Sequence, residues 1–314
     1  MNEAARSWFE QGTFTAEDFP AQHLLARKGD LRISVVIPAR NERSTVGQIV
    51  RTIRAELMDA VPLVDELLVM DSDSTDDTAQ TAINAGAMVR SARDIAPQLG
   101  WRPGKGEAMW KSLFVVTGDI IAFIDADLTS FVPNFVTGLL GPLLDDQRIQ
   151  LVKGCYDRDL GSQTAGIGQG GRVTELMARP MISLWWPELA GVMQPLSGEW
   201  AARRAFLDSI PFPAGYGVEC AVLIDAYRLH GLHGIAQVDL GKRTHAHQDL
   251  ASLSVMAAEV LAAAQRRRFP GVHADGDTIS HPNLTADGTT WSTCGINDEE
   301  RPAHATMRAR STSS

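Results

Sequence analysis

The chain has 314 residues, 44% hydrophobic and 21% charged, with a formal net charge of −9. This is ordinary globular material, long enough for one large or two small domains, and its acidic balance argues against a general nucleic-acid surface. No apolar run has the length of a membrane span, "MNEAARSWFEQG" is no signal peptide, and Cys155, Cys220 and Cys294 lack a CxxC spacing, which fits free thiols in a reducing cytoplasm and no zinc site.

Residues 1–30 are polar with scattered aromatics (Trp8, Phe9, Phe14, Phe19) and read as an arm docked on a body. From residue 31 strands and helices alternate. "RISVVIPA" is a continuous apolar run, the pattern of a strand buried on both faces. After the turn "RNERS", Val46, Ile49, Val50, Ile53 and Leu57 recur at helical spacing, with Ser44 as N-cap. "DELLVMD" is a second strand. Ser74 and Asp77 form the pattern of a capping box for a helix that Gly86 ends. "AMVRSA" is a third strand, "GKGEAMWKSLFVVTG" a helix closed by Gly118, and "DIIAFID" a fourth strand. Such alternation predicts parallel βαβ units in a three-layer α/β domain spanning residues 31–150.

The second half is less regular. "LVKGCYD" is a strand, "GGRVTELMARPMISLWWPEL" a helix kinked at Pro180, "IAQVDLG" a strand, and "DLASLSVMAAEVLAAAQRRR" a long helix. Residues 151–268 form the second part of the molecule, and 269–314 read as a loose tail without apolar periodicity.

Ligands of open parallel sheets bind beyond the carboxyl ends of the strands. Three ends carry polar chemistry here: "PARNE" (Pro38, Ala39, Arg40, Asn41, Glu42), "DSDS" (Asp71–Ser74) and "DAD" (Asp125, Ala126, Asp127). Neither GxGxxG nor GxxxxGK[ST] is present, so a nucleotide would use these short loops instead. Asp125 and Asp127 project to one side of an extended chain and make a hard oxygen site suited to Mg²⁺ or Mn²⁺ bridging phosphates. A turn with two solvated aspartates is the plain alternative, but the apolar strand leading directly into the pair favours the metal site. Asp71 and Asp73 read as nucleoside contacts and a helix cap.

"RPGKGE" puts Lys105 at a helix N-terminus, either an anion site or a surface loop. "GQGGRVTE" repeats that arrangement with Arg172 and Thr174, and two anion cradles suggest two anionic substrates. "KRTHAHQ" offers His245 and His247 after a strand, as a metal ligand and a phosphate contact. "GYGVE" places Glu219 in a first helical turn, where it either favours the helix or meets a sugar hydroxyl. "QPLSGEWA" brings Gly198 and Glu199 near the same region.

Taken in order, "VVIPARNE", "DSDSTDDT", "RPGKGEAMW", "FIDADL", "GGRVTELMARP", "QPLSGEWA", "PAGYGVE" and "DLGKRTHAHQDL" resemble the actinobacterial glucosyl-3-phosphoglycerate synthases, retaining glycosyltransferases of the GT-A fold. The resemblance runs from about Trp8 to about Arg268. It implies a Rossmann-like, mainly parallel nucleotide-sugar-binding sheet followed by an acceptor-binding part. It implies transfer of glucose from UDP-glucose to D-3-phosphoglycerate, a divalent metal and a cytoplasmic homodimer. The product would feed glucosylglycerate or methylglucose lipopolysaccharide synthesis.

The resemblance also carries site residues. Pro38 to Glu42, Ser72, Lys105, Asp125, Ala126, Asp127, Tyr216, Gly217, Val218, Glu219, Arg243, Thr244 and His245 would bind the donor. Gly171, Arg172, Val173, Thr174 and His247 would bind the acceptor. Asp127 and His245 would hold the metal, and Asp127, Lys105 and Glu219 would serve catalysis. Three departures stand out: Arg40 where a Leu-type residue is usual, His247 in place of Asn, and Trp200 in place of Tyr. Two other readings predict different behaviour. A GDP-mannose-dependent mannosyl-3-phosphoglycerate synthase would prefer that donor. A sugar-nucleotide-binding protein would bind without turnover.

Overall fold

Short apolar runs ended by turn residues become the strands of one eight-stranded sheet in the computed structural model, which describes residues 2–158, 171–243, 249–272, 276–285 and 288–311. Ahead of the first expected strand lie α1 (Glu3–Gly12), β1 (Thr13–Thr15) and α2 (Ala21–Lys28). The first half then runs β2 (Ile33–Ala39), α3 (Val46–Arg54), β3 (Glu66–Asp71), α4 (Thr78–Ala85), β4 (Met88–Ser91), α5 (Lys105–Ser112), β5 (Ile120–Phe123) and α6 (Asn134–Asp145). The second half runs β6 (Leu151–Arg158), α7 (Arg179–Trp185), β7 (Trp200–Arg203), α8 (Arg204–Ser209), β8 (Phe212–Pro213), α9 (Val218–His230), β9 (Ile235–Arg243) and α10 (Leu250–Arg268). Last come β10 (Thr278–Thr285), β11 (Gly288–Gly295), β12 (Glu300–Arg301) and α11 (His304–Ser311).

The sheet order is β1-β9-β6-β7-β5-β2-β3-β4, and only β7 runs against its neighbours. The N-terminal arm is docked through an edge strand: Phe14 registers with Val238 of β9, and the Trp8 indole donates to the Ile235 carbonyl at 2.9 Å. One apolar layer packs Ile49, Val50, Ile53, Phe135 and Leu139 under α3 and α6. The other packs Met109, Trp110, Phe206, Val222 and Leu223 under α5, α8 and α9. Both faces of the sheet are therefore covered, as continuous apolar strands require.

Register fixes which chain ends meet. Ala39 pairs with Asp71, and Val36 with Phe123, all in parallel. The loops after β2, β3 and β5 therefore leave by one edge of the sheet.

Several local expectations are corrected. Thr45, not Ser44, precedes α3. Ser74 and Asp77 form no capping box: Ser74 Oγ accepts from the Asn41 N–H at 3.1 Å, and Asp76 receives the Thr78 N–H. α5 stops at Ser112, six residues short of Gly118, because the chain turns at Leu113 to Val115. Pro180 acts one turn earlier than a simple kink. It has no N–H to give, and residues 174–178 widen into a π-turn in which Arg179 N–H reaches the Thr174 carbonyl.

The loose tail is also corrected. Among its described residues β10 and β11 form a hairpin, β12 pairs with β8, and Arg301 is 4% exposed. Arg301 forms two 2.6 Å bonds to the Glu107 carboxylate and further bonds to the Leu99 and Gly100 carbonyls. Trp110 donates its indole N–H to the Pro302 carbonyl, and Phe114 meets His304 edge to face. The segment holds through charge and hydrogen bonds, so it lacks the apolar periodicity that would announce it.

Candidate active site

The loop after β2 is braced by the loop after β3. Asn41 sits at φ 59°, and its side-chain oxygen accepts from Thr75 N–H at 2.8 Å. Glu42 N–H donates to Thr78 Oγ at 2.7 Å. Asn41 is a residue type that tolerates the left-handed region, so the turn is locally affordable. Thr45 then donates to the Ala126 carbonyl at 2.6 Å and ties the first loop to "DAD". Ser72 and Asp73 belong to the same edge, with Asp73 paired to Arg93 at 2.5 Å. One oxygen of Asp71 is buried there without a hydrogen-bond partner.

Asp125 does not face open solvent beside Asp127 as an equal partner. Lys105 bonds Asp125 at 2.5 Å and Glu219 at 2.6 Å. Burial opposes the ammonium, but the two carboxylates hold Lys105 well above the ordinary lysine range. Lys105 is therefore fixed in its charged form at the start of α5. Expected from the sequence as an anion contact, it is also the bolt between β5 and α9.

Glycines make this junction possible. A Cβ on Gly198 would collide with the Asp125 carboxylate. Cβ atoms on Gly104 and Gly106 would strike the carbonyls of Ala214 and Pro213. Glu107 N–H donates to that Ala214 carbonyl at 2.9 Å, so α5 and the "PAGYG" turn lock together. Behind them lies Lys153, 1% exposed, whose ammonium reaches the Ser197 carbonyl at 2.7 Å. Burial pushes Lys153 down to about 8. Sequence reasoning passed over Lys153 because a lysine inside "LVKGCYD" looks like one polar break in a strand.

Carboxylates crowd at this edge. The Glu42 carboxyl is pushed up to about 7, first by burial and then by Asp127 and Asp125. Such crowding fits a divalent cation at Asp127, with oxygen donors of the right chemistry. Among the described residues no group of three or more potential ligands gathers. The partner expected from sequence, His245, lies outside the described residues, as do Thr244 and His247.

The remaining expected residues lie on several elements. Pro38 and Ala39 end β2, with Arg40 exposed beyond them. Tyr216 is 42% exposed, while Gly217, Val218 and Glu219 open α9 and are buried. Arg243 is the last residue of β9. Gly171 and the exposed Arg172 begin the helical segment that continues into α7, and Val173 and Thr174 point into the packing. That segment packs against α10. Trp200 packs on Phe123 with tilted rings whose centroids are 4.4 Å apart, so this departure lies under the sheet edge as a packing residue.

The geometry can be set beside known proteins. Residues 34–187 match the glycosyl transferase family 2 model. The glucosyl-3-phosphoglycerate synthase of Mycolicibacterium smegmatis is 43% identical over 306 residues, covering 96% of this chain and 99% of that protein. A crystal structure of the Mycobacterium tuberculosis synthase with Mn²⁺ and UDP-glucose superposes with a TM-score of 0.83 at 44% identity, covering 92% and 96% of the two chains. A further structure of that enzyme, with Mn²⁺, UDP and glucosyl-3-phosphoglycerate, gives 0.83 at 43% identity over the same shares.

Proposed function

This chain belongs to the glucosyl-3-phosphoglycerate synthases of glycosyl transferase family 2, and on that premise we propose that it moves glucose from UDP-glucose to D-3-phosphoglycerate. The observation that carries the reading is the Asp125–Lys105–Glu219 cluster at the edge where the loops after β2 and β3 converge. A fixed cation lies there beside polar loops suited to a nucleotide. Structures of the relative hold Mn²⁺ or Mg²⁺ with UDP at an equivalent fold.

Pro38 to Glu42 and Ser72 receive the nucleoside, with Arg243, Thr244 and His245 completing the diphosphate side. Tyr216 to Glu219, with Asp125 and Ala126, face the donor sugar. Gly171 to Thr174, with His247, receive phosphoglycerate. Asp127 and His245 are the residues for the divalent cation, which when bound neutralises charge on the leaving diphosphate. Lys105 adds a fixed positive charge to the same region. Asp125 and Glu219 are both ion-paired to Lys105, which makes either a poor nucleophile. That favours attack by the acceptor hydroxyl from the face the diphosphate leaves, with retention, over a two-carboxylate double displacement.

Three free thiols support a reducing, cytoplasmic setting. A homodimer is what the family resemblance implies, and Leu176 and Leu184 around α7 are exposed apolar side chains for a partner to cover. The product is an anionic glycoside for glucosylglycerate or methylglucose lipopolysaccharide synthesis.

The test is a matrix of donors (UDP-glucose, GDP-mannose) and acceptors with Mg²⁺ and Mn²⁺, reading released nucleotide. Preferred turnover of UDP-glucose that requires 3-phosphoglycerate is expected. A preference for GDP-mannose, or binding without turnover, overturns the reading. Asp127→Ala should abolish metal-dependent transfer, and full turnover in that variant would remove Asp127 from the metal site.

A further inference from the structure

Glu259 lies on α10, outside every motif that points to substrate, yet its carboxylate is buried at 6% exposure. Its two oxygens are divided between two backbone donors. Oε2 accepts the Tyr216 N–H at 2.7 Å, and Oε1 accepts the Asn297 N–H at 2.9 Å. The first donor belongs to the turn before α9, and the second to the segment leading into β12.

The packing is built around this carboxylate. A Cβ on Gly215 would collide with Glu259 Oε2, and one on Gly217 would press on Ala263 and the Glu259 carbonyl. Both glycines thus let the turn lie directly on α10. The same turn is gripped from the other side, where Ala214 N–H donates to the Glu299 carbonyl at 2.8 Å. Asn297 reaches back through its side chain to the Pro103 carbonyl at 2.5 Å, two residues before Lys105. One carboxylate therefore joins three segments: the turn that presents Tyr216 and Glu219, the C-terminal strand segment, and the approach to Lys105. Burial raises the Glu259 carboxyl, and the two N–H bonds pull it back.

We propose that Glu259 is a positioning residue for the donor sugar: it holds the Gly215–Glu219 turn so that Tyr216 and Glu219 meet the hexose, without touching substrate itself. This deepens the reading of residues 216–219 as the donor-sugar face and rests on it. Glutamine at this position keeps the size and one acceptor but turns its NH₂ toward the other backbone N–H. A donor then faces a donor, and one end of the clasp opens.

The experiment compares wild type with Glu259→Gln in kcat, the two KM values, and direct binding of UDP and of UDP-glucose in the presence of Mn²⁺. The expected result is a kcat lower by about tenfold, the scale of one lost charge-assisted hydrogen bond. UDP-glucose affinity should fall by roughly fivefold or more, with UDP affinity and the phosphoglycerate KM within about twofold of wild type. A merely structural role would weaken UDP and UDP-glucose alike, or change only the unfolding midpoint, and either result overturns the proposal. Should Glu259→Gln lack a cooperative unfolding transition, Glu259→Asp keeps both oxygens and the charge but withdraws them by one methylene, and the same outcomes decide. If wild type prefers another nucleotide sugar, the proposed reaction fails, and the positioning role is judged on the split between that donor and its own nucleotide.

Discussion

Asp125 and Asp127 are two residues apart, yet their surroundings separate them. Asp125 is bonded by Lys105 and lies where a Cβ on residue 198 would be, while Asp127 belongs to the crowded acidic edge that raises Glu42. Pairing with a cation stabilises one carboxylate in place, and crowding with other carboxylates makes the second part of a hard, anionic oxygen site. Gly198→Ala tests how closely the first is set. The added methyl would displace the Asp125 carboxylate from Lys105, and misplacement of about 1 Å at a reacting centre can cost about a hundredfold. A loss of kcat/KM on that scale is expected in steady-state assays, with the urea midpoint little changed. Near-normal turnover would show that the Asp125–Lys105 contact has slack.

At the scale of elements, the C-terminal segment is a strap across the helices that carry the charged cluster. Arg301 binds Glu107 on α5, and Arg267 on α10 joins Asp225 on α9 to Glu300 on β12 at 2.7 and 2.6 Å. Buried pairs add little relative to a well-packed apolar substitute, but removing one member strands the other. Arg301→Met therefore leaves the Glu107 carboxylate, 0% exposed, without its bidentate partner. A loss of about 3–5 kcal/mol is expected from urea denaturation. The double variant Glu107→Gln/Arg301→Met should recover part of it. An unchanged midpoint in the single variant would mean that the strap does not bear on stability.

For the whole molecule, the buried titratable groups set opposing pH dependences. Lys153 is held near 8 in the fold against an ordinary 10.5. Between those values the unfolded chain binds the proton and the native one does not, so stability rises with pH across that window. Below about 8 both states carry the charge, and the cost is fully present. Burial pushes the Cys155 and Cys220 thiols up to about 12 from 9.0. Above 9 the native state therefore keeps protons that the unfolded chain releases, and these two groups lower stability as pH rises. Lys153→Met should thus be most stabilised relative to wild type near neutral pH. That advantage should shrink as pH climbs toward 10.5, by on the order of 3 kcal/mol in all. Urea unfolding of both proteins at pH 7.5 and 10 checks the sign, and an advantage that grows with pH contradicts it.

The sequence alone determined the alternating strands and helices, the edge at which their polar loops open, and the residue types suited to a nucleotide, an anion and a metal. Those features are local: burial on two faces gives continuous apolar runs, and chemistry at strand ends survives as short polar motifs. Only tertiary structure decided that Lys105 joins Asp125 to Glu219, and that Gly198 is small because Asp125 lies against it. It also decided that β1 edges the sheet, that residues 297–304 strap the helices, and that Lys153 and Glu259 sit behind the site. These contacts join segments far apart in the chain, several of them through backbone groups that every residue carries. Periodicity reports only which face of an element is buried, so it cannot say which distant carboxylate or carbonyl will be waiting there.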